Sequence, residues 1–213
     1  HMRIKLIYAV LLIPTAAAAV GVYFDGGFAS FGDLETRIRY GPFTFKESES
    51  LGSSYWVGGG VGIPVWRHPG KVTPTFELAT DFGYGSKTKE GENEYLEGYE
   101  ISWGMFAVRE SLLFGVEAGP GKPFVGFGGG VAVVPWALNH VETGAEADSH
   151  TEVKPAFGIP FGLEFKVAPS VAVGFRGEYL IVTGDTTPEV EVEGVHTEIP
   201  NALLLGGTAR LNF

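Results

Sequence analysis

Over positions 154–167 every second residue on one side is apolar: Phe157, Ile159, Phe161, Leu163, Phe165 and Val167. Between them stand Ala156, Gly158, Pro160, Gly162, Glu164 and Lys166. A period of two is a β-strand with a different solvent on each face. One face here holds no charge, and the other holds every charge. The same alternation runs through seven more segments, at 20–30, 54–66, 72–84, 99–112, 124–136, 170–183 and 201–213. In 72–84, Val72, Pro74, Phe76, Leu78, Phe82 and Tyr84 oppose Thr73, Thr75, Glu77, Ala79, Asp81 and Gly83.

Eight such strands need something apolar to face. No helical segment is available to cover their apolar sides, so a layered soluble fold is excluded. A soluble barrel would turn its apolar residues inward, whereas here the small and charged face suits the interior. Lipid is the remaining partner. An unpaired backbone group in lipid costs several kcal/mol, so the sheet must close on itself. Eight tilted strands enclose an interior that side chains can fill. The expected fold is therefore all-β: an eight-stranded antiparallel up-and-down transmembrane β-barrel over 20–213. The connections agree with this. Those at 67–70, 115–122 and 168–170 are short, while those at 31–53, 85–98, 137–153 and 184–200 are long and polar. Short turns at one end and long loops at the other characterise an outer-membrane barrel, with both termini at the short-turn, periplasmic end.

Composition narrows the class further. The 213 residues include 32 Gly and 13% aromatics, which suits a curved sheet and not a disordered chain. A net charge of −10 argues against a nucleic-acid partner. There is no Cys, so no disulfide, thiolate metal site or Cys nucleophile is expected. Residues 1–19 read as a cloning remnant, His1-Met2, followed by a secretory signal peptide. Arg3 and Lys5 precede an apolar run from Leu6 to Pro14, then Thr15-Ala-Ala-Ala-Ala19, with cleavage after Ala17, Ala18 or Ala19. The competing reading is a retained membrane helix, since 6–24 carries no charge.

Several features together resemble the small outer-membrane β-barrel family that includes the OmpA transmembrane domain and OmpX. They are the leader, the eight alternating segments, the runs Val57-Gly-Gly-Gly-Val-Gly62 and Phe124-Val-Gly-Phe-Gly-Gly-Gly130, and the terminal Phe213. The resemblance covers about 20–213 and is architectural. It implies a bacterial outer membrane, contact with its lipids and lipopolysaccharide, and an assembly signal at Leu211 and Phe213 recognised by the barrel-assembly machinery. It implies no cofactor. No peptidoglycan-binding domain is expected after the eighth segment, and so the wall-anchoring role of longer relatives is not expected either.

The inward charges are the first candidate site: Glu77, Asp81, Glu100, Glu164, Lys166, Arg176, Glu178 and Arg210. They form either a packed ionic core or, as the resemblance allows, a gate whose pairs swap to open a narrow pore. Segment 99–112 begins with Tyr99, Ile101, Trp103 and Met105 on the apparent outward face. It then loses phase near 106–109, where a bulge is expected. Aromatic belts are expected from Tyr55, Tyr84, Tyr99, Trp103 and Tyr179 at the outer end and Phe165 and Phe213 at the periplasmic end. Trp56 and Trp66 have inward phase.

The long loops are acidic, with Glu142, Glu146, Asp148 and Glu152 in the third and Glu189, Glu191, Glu193 and Glu198 in the fourth. They are solvated surface, or they bind divalent cations that bridge to lipopolysaccharide. The alternating 188–193 would extend strands above the membrane. Some barrels of this shape modify lipid A with a His and a Ser at the outer rim. Ser149-His150 and His196-Thr197 are the pairs that could resemble such a site, but adjacent strand residues point to opposite faces. The leading expectation is a non-enzymatic structural or surface-interaction barrel. A narrow channel comes next, and a lipid-modifying enzyme third.

Overall fold

The computed structural model describes residues 20–40, 43–50, 52–68, 70–90, 98–183, 185–186, 195–198 and 201–213. The expected leader and the stretch 188–193 lie outside the described residues. In chain order the strands are β1 (Gly21–Phe31), β2 (Asp33–Tyr40), β3 (Phe43–Ser50), β4 (Ser53–Arg67), β5 (Val72–Glu90) and β6 (Tyr99–Ala118). Then come β7 (Gly121–His140), β8 (Glu146–Ala168), β9 (Val171–Val182), β10 (Asp185–Thr186), β11 (Val195–Glu198) and β12 (Ala202–Asn212).

Eight of these close into a barrel in the order β1-β12-β9-β8-β7-β6-β5-β4. Every neighbouring pair is antiparallel. The seam is sealed by β1, which pairs with β4 on one side and β12 on the other. Two further bonds fasten the last residues, Asn212 N–H to Ser170 O at 2.9 Å and Phe213 N–H to Val20 O at 3.0 Å. No backbone edge is left in the wall, as hydrocarbon requires.

The wall is uneven in height. β5, β6, β7 and β8 run for 19, 20, 20 and 23 residues, whereas β1, β12 and β9 run for 11, 11 and 12. Much of what the sequence marks as the second and third loops is thus strand continued above the membrane. It is polar there because water, not lipid, lies outside. The first loop is a hairpin, β2 with β3. β11 of the fourth loop pairs with β2, giving a small sheet in the order β10-β11-β2-β3. The connection at 115–122 shrinks to a turn at Gly119 and Pro120, with Gly119 at φ 60°.

Outward residues are apolar through the expected band, among them Phe24, Phe28, Val57, Val61, Phe82, Val125, Phe127, Phe157, Phe175 and Leu205. Two sequence expectations fail on phase. Trp66 faces outward at 47% exposure, because a bulge between Pro64 and Trp66 inserts one residue and flips the strand beyond it. It opens an aromatic ladder across the lipid face: Trp66–Phe76 at 5.3 Å, Phe76–Phe114 at 4.7 Å and Phe114–Phe127 at 6.1 Å. Conversely, Ile101, Trp103 and Met105 are buried in the barrel, and β6 pairs with β5 in unbroken register. No bulge is needed there. The row Ile101, Trp103, Met105, Ala107, Arg109, Ser111 and Leu113 points inward throughout.

The interior therefore has two floors. The outer half is apolar, with Phe31, Trp56, Trp103, Met105, Leu180 and Leu204 among its members. Phe31 meets Trp103 edge-on at 4.1 Å. The periplasmic half is ionic. Inward glycines make room for both floors. A Cβ on Gly83 would collide with the Trp56 ring, one on Gly60 with Tyr23, one on Gly62 with Glu77 and one on Gly158 with Glu178. The glycine runs are the clearings into which large interior side chains lie. Gly83→Val should force the Trp56 ring out of its place and destabilise the barrel by about 1–3 kcal/mol. A lowered urea midpoint of the protein refolded in lipid vesicles is the expected result.

Candidate functional site: the ionic floor of the barrel

Strand pairing decides which charges meet. At the periplasmic end, Lys122 of β7 lies 3.0 Å from Glu77 of β5 and 4.0 Å from Glu164 of β8. Arg210 of β12 reaches the same two carboxylates, at 2.7 and 3.7 Å. Two cations and two anions thus form a closed quartet across the lumen. One step outward, the Arg176 guanidinium of β9 sits 2.6 Å from Asp81 and 3.5 Å from Asp25. The Tyr23 hydroxyl donates to the same Asp81 oxygen. The Tyr23 ring lies 4.6 Å from the Arg176 guanidinium carbon, a cation–π contact. Outermost, Arg109 of β6 pairs with Glu178 of β9 at 2.7 Å. Arg109 is 2% exposed, among the most completely enclosed side chains of the described residues.

In this floor, among the described residues, four cations answer five carboxylates: Asp25, Glu77, Asp81, Glu164 and Glu178. Satisfaction is incomplete. Asp25 Oδ1, Asp81 Oδ2, Glu178 Oε1 and Arg109 Nε and Nη1 make no hydrogen bond among the described residues. A cavity of about 20 Å³ is bordered by Asp25, Asp81, Arg109, Arg176, Glu178 and Trp56, which is the room of about one water. Above it lies the apolar layer that includes Trp56 and Met105.

Of the residues marked from sequence, Glu77, Asp81, Glu164, Arg176, Glu178 and Arg210 come together. Two do not. Glu100 is half-buried in the phase opposite to Ile101 and Trp103, level with Glu90 and Asn139 near the outer strand ends. Its assignment followed from placing Ile101 and Trp103 outward. Lys166 is exposed at the periplasmic margin, where β8 slips register against β9 between Lys166 and Ala168. Sequence reasoning missed Asp25, Arg109 and Lys122 as network members. Asp25 lies on the face of β1 opposite the exposed Phe24 and Phe28, and Arg109 was hidden by the apparent loss of phase around it.

At the rim, Ser149 and His150 each face a glutamate. The Ser149 hydroxyl donates to Glu146 at 2.8 Å, while His150 Nε2 faces Glu152 at 3.5 Å. Glu152 is also held by Lys154 at 2.7 Å. The side chains of His196 and Thr197, and those of the acidic fourth loop, lie outside the described residues. At the terminus, Leu211 and Phe213 face outward, and Phe213 is 77% exposed.

No family model and no curated protein matches the chain. Solved structures do. The chain resembles Neisserial surface protein A (NspA) at 12% identity and a TM-score of 0.51, over 91% of this chain and 97% of that one. It resembles the outer membrane protease OmpT from Escherichia coli at 9% identity and a TM-score of 0.55, over 94% and 100%. It also resembles a major outer membrane protein from Thermus thermophilus at 11% identity and a TM-score of 0.54, over 92% and 100%. The chain has the fold of the small outer-membrane β-barrel proteins. That fold, with its closed wall and apolar belt, places the chain in the bacterial outer membrane.

Breaking one member of a buried ion pair leaves the other charged and unpaired, at about 3–5 kcal/mol, whereas replacing both by apolar groups is close to neutral. Arg109→Met should therefore lower the urea midpoint in vesicles strongly. The double variant Arg109→Met with Glu178→Leu should recover most of that loss.

Proposed function

We propose that the protein is a closed, non-enzymatic outer-membrane barrel that supports the envelope and acts at its outer surface. The observation that carries this is the filled lumen: an ionic floor beneath an apolar floor, with a cavity of about 20 Å³ between them. A barrel filled in this way has no path for solute, so its working surface is its exterior. The parts that extend furthest outward are the tall β5–β8 wall and the sheet of β10, β11, β2 and β3. Those elements would meet lipopolysaccharide or a surface partner, and the acidic loops between them would take divalent cations as bridges. Outward-facing Leu211 and Phe213 would serve the barrel-assembly machinery.

A narrow channel is the second reading. It is favoured by one feature: Arg176 has two carboxylates in reach, as do Lys122 and Arg210, so pairs can be exchanged without stranding a charge. Opening would also require Trp56, Trp103 and Met105 to move aside. A lipid-modifying enzyme ranks third, because Ser149 and His150 are each engaged by a glutamate.

Single-channel recording in planar bilayers separates the first two readings. The refolded chain should be electrically silent, and Arg176→Ala should lose stability before it gains conductance. Steady conductance steps in the unaltered protein that shift on Arg176→Ala would put the channel first.

A further inference from the structure

One carboxylate lies on the wrong side of the wall. The outward row of β6 runs Phe106, Val108, Glu110, Leu112, Phe114 and Val116. Glu110 is exposed on that row, between the buried, inward Arg109 and Ser111. Phe106 and Val108 separate it from the outer margin, and Leu112, Phe114 and Val116 from the periplasmic one. Its neighbour on β5 is Thr80, which interrupts an otherwise apolar row of Val72, Pro74, Phe76, Leu78, Phe82 and Tyr84. Its neighbour on β7 is Gly129. Gly129 leaves a dimple between Phe127 and Val131, and a Cβ there would meet nothing nearer than the Phe157 ring at 3.6 Å. Among the described residues, Glu110 is the only charged side chain on the lipid-facing side within the apolar band.

Charged groups on the lipid face of a barrel are disfavoured most at mid-depth. An ionisable residue there marks a contact that takes it out of lipid. The Thr80 hydroxyl lies 3.0 Å from each Glu110 oxygen. It supplies a single proton to a group with about four acceptor positions. Hydrocarbon supplies none of the rest.

We propose that the Thr80–Glu110–Gly129 spot is where a second copy of this chain docks, wall against wall, in the membrane plane. Barrels inserted with one orientation can pair only about an axis along the membrane normal. Such a two-fold sets every residue at the depth of its counterpart. Glu110 then meets Glu110 of the other copy, with both Thr80 hydroxyls beside them. Carboxyl and hydroxyl groups are self-complementary, since a carboxyl holding a proton both donates and accepts. A cation from the other copy is not the partner, because no Lys or Arg among the described residues faces lipid within the band. The Gly129 dimple lets the two walls approach closely enough for the short side chains to meet.

The test uses the chain's lack of Cys. A single Ser170→Cys in the exposed periplasmic turn is labelled with donor or acceptor dye, and energy transfer is followed in phosphatidylcholine vesicles as the protein is diluted with lipid. The labelled protein should associate. Glu110→Leu should weaken association at least tenfold while leaving the heat resistance of the barrel on gels intact, since leucine matches the rest of the row. Glu110→Gln keeps a donor and an acceptor and should associate like the parent. Gly129→Leu, which fills the dimple, should weaken association as Glu110→Leu does. A parent protein that is monomeric at every dilution overturns the proposal, as does unchanged association of Glu110→Leu. Loss of association in Glu110→Gln equal to that in Glu110→Leu also overturns it, because a hydrogen bond shared between the two copies would survive that change.

Discussion

Hydrocarbon offers no partner to a backbone N–H or C=O, so every such group in the wall must be met by a neighbouring strand. That demand closes β1 against both β4 and β12 and leaves no edge. Closure in turn divides the side chains into two populations with unlike surroundings. The outward set needs only to be apolar, whereas the inward set must fill a tube of fixed width. The chain meets the second requirement by pairing glycine with bulk. Gly83 and Gly58 make way for Trp56, Gly60 for Tyr23 and Gly158 for Glu178.

The same closure explains why charges belong in the lumen. Arg176 is buried, and it is held by Asp81, Asp25 and the face of Tyr23. Each cation of the floor faces at least one carboxylate from a strand that is not its neighbour, as with Arg109 of β6 and Glu178 of β9. Such cross-lumen pairs act as struts between opposite walls, and removing one partner leaves the other stranded. The apolar floor above the struts shares the load differently. It packs Phe31, Trp56, Trp103 and Met105 against one another above the ion pairs.

Fold class was legible in the sequence because alternation is a local property, and lipid against lumen is a strong contrast. The stripe Phe157 to Val167 and the row Val72 to Tyr84 both carry it. Legibility failed where the contrast changes. Near the outer margin of β6 the exterior is no longer lipid, so Ser102 and Gly104 face out while Ile101, Trp103 and Met105 face in. Hydrophobicity alone then assigns the faces backwards. It also misplaces Glu100 and hides Arg109, because the change of surroundings looks like a slip of register. At Trp66 the opposite holds: a real bulge beside Pro64 changes the phase, although the apolar residues around it keep the segment looking continuous. The ionic floor was partly legible, since phase shows which charges are inward. Which charges meet depends on barrel order and register.

Alternate residues of one strand face lipid and a filled lumen, and this alternation can be measured directly. Single cysteines placed in turn along 72–84 of the otherwise Cys-free chain would carry nitroxide labels in lipid vesicles. Collision with oxygen, which concentrates in hydrocarbon, would be read by electron paramagnetic resonance. High collision rates are expected at 72, 74, 76, 78, 80, 82 and 84, and low rates with restricted label motion at the residues between. A flat profile, or one with the phase reversed, would contradict the membrane-spanning barrel itself.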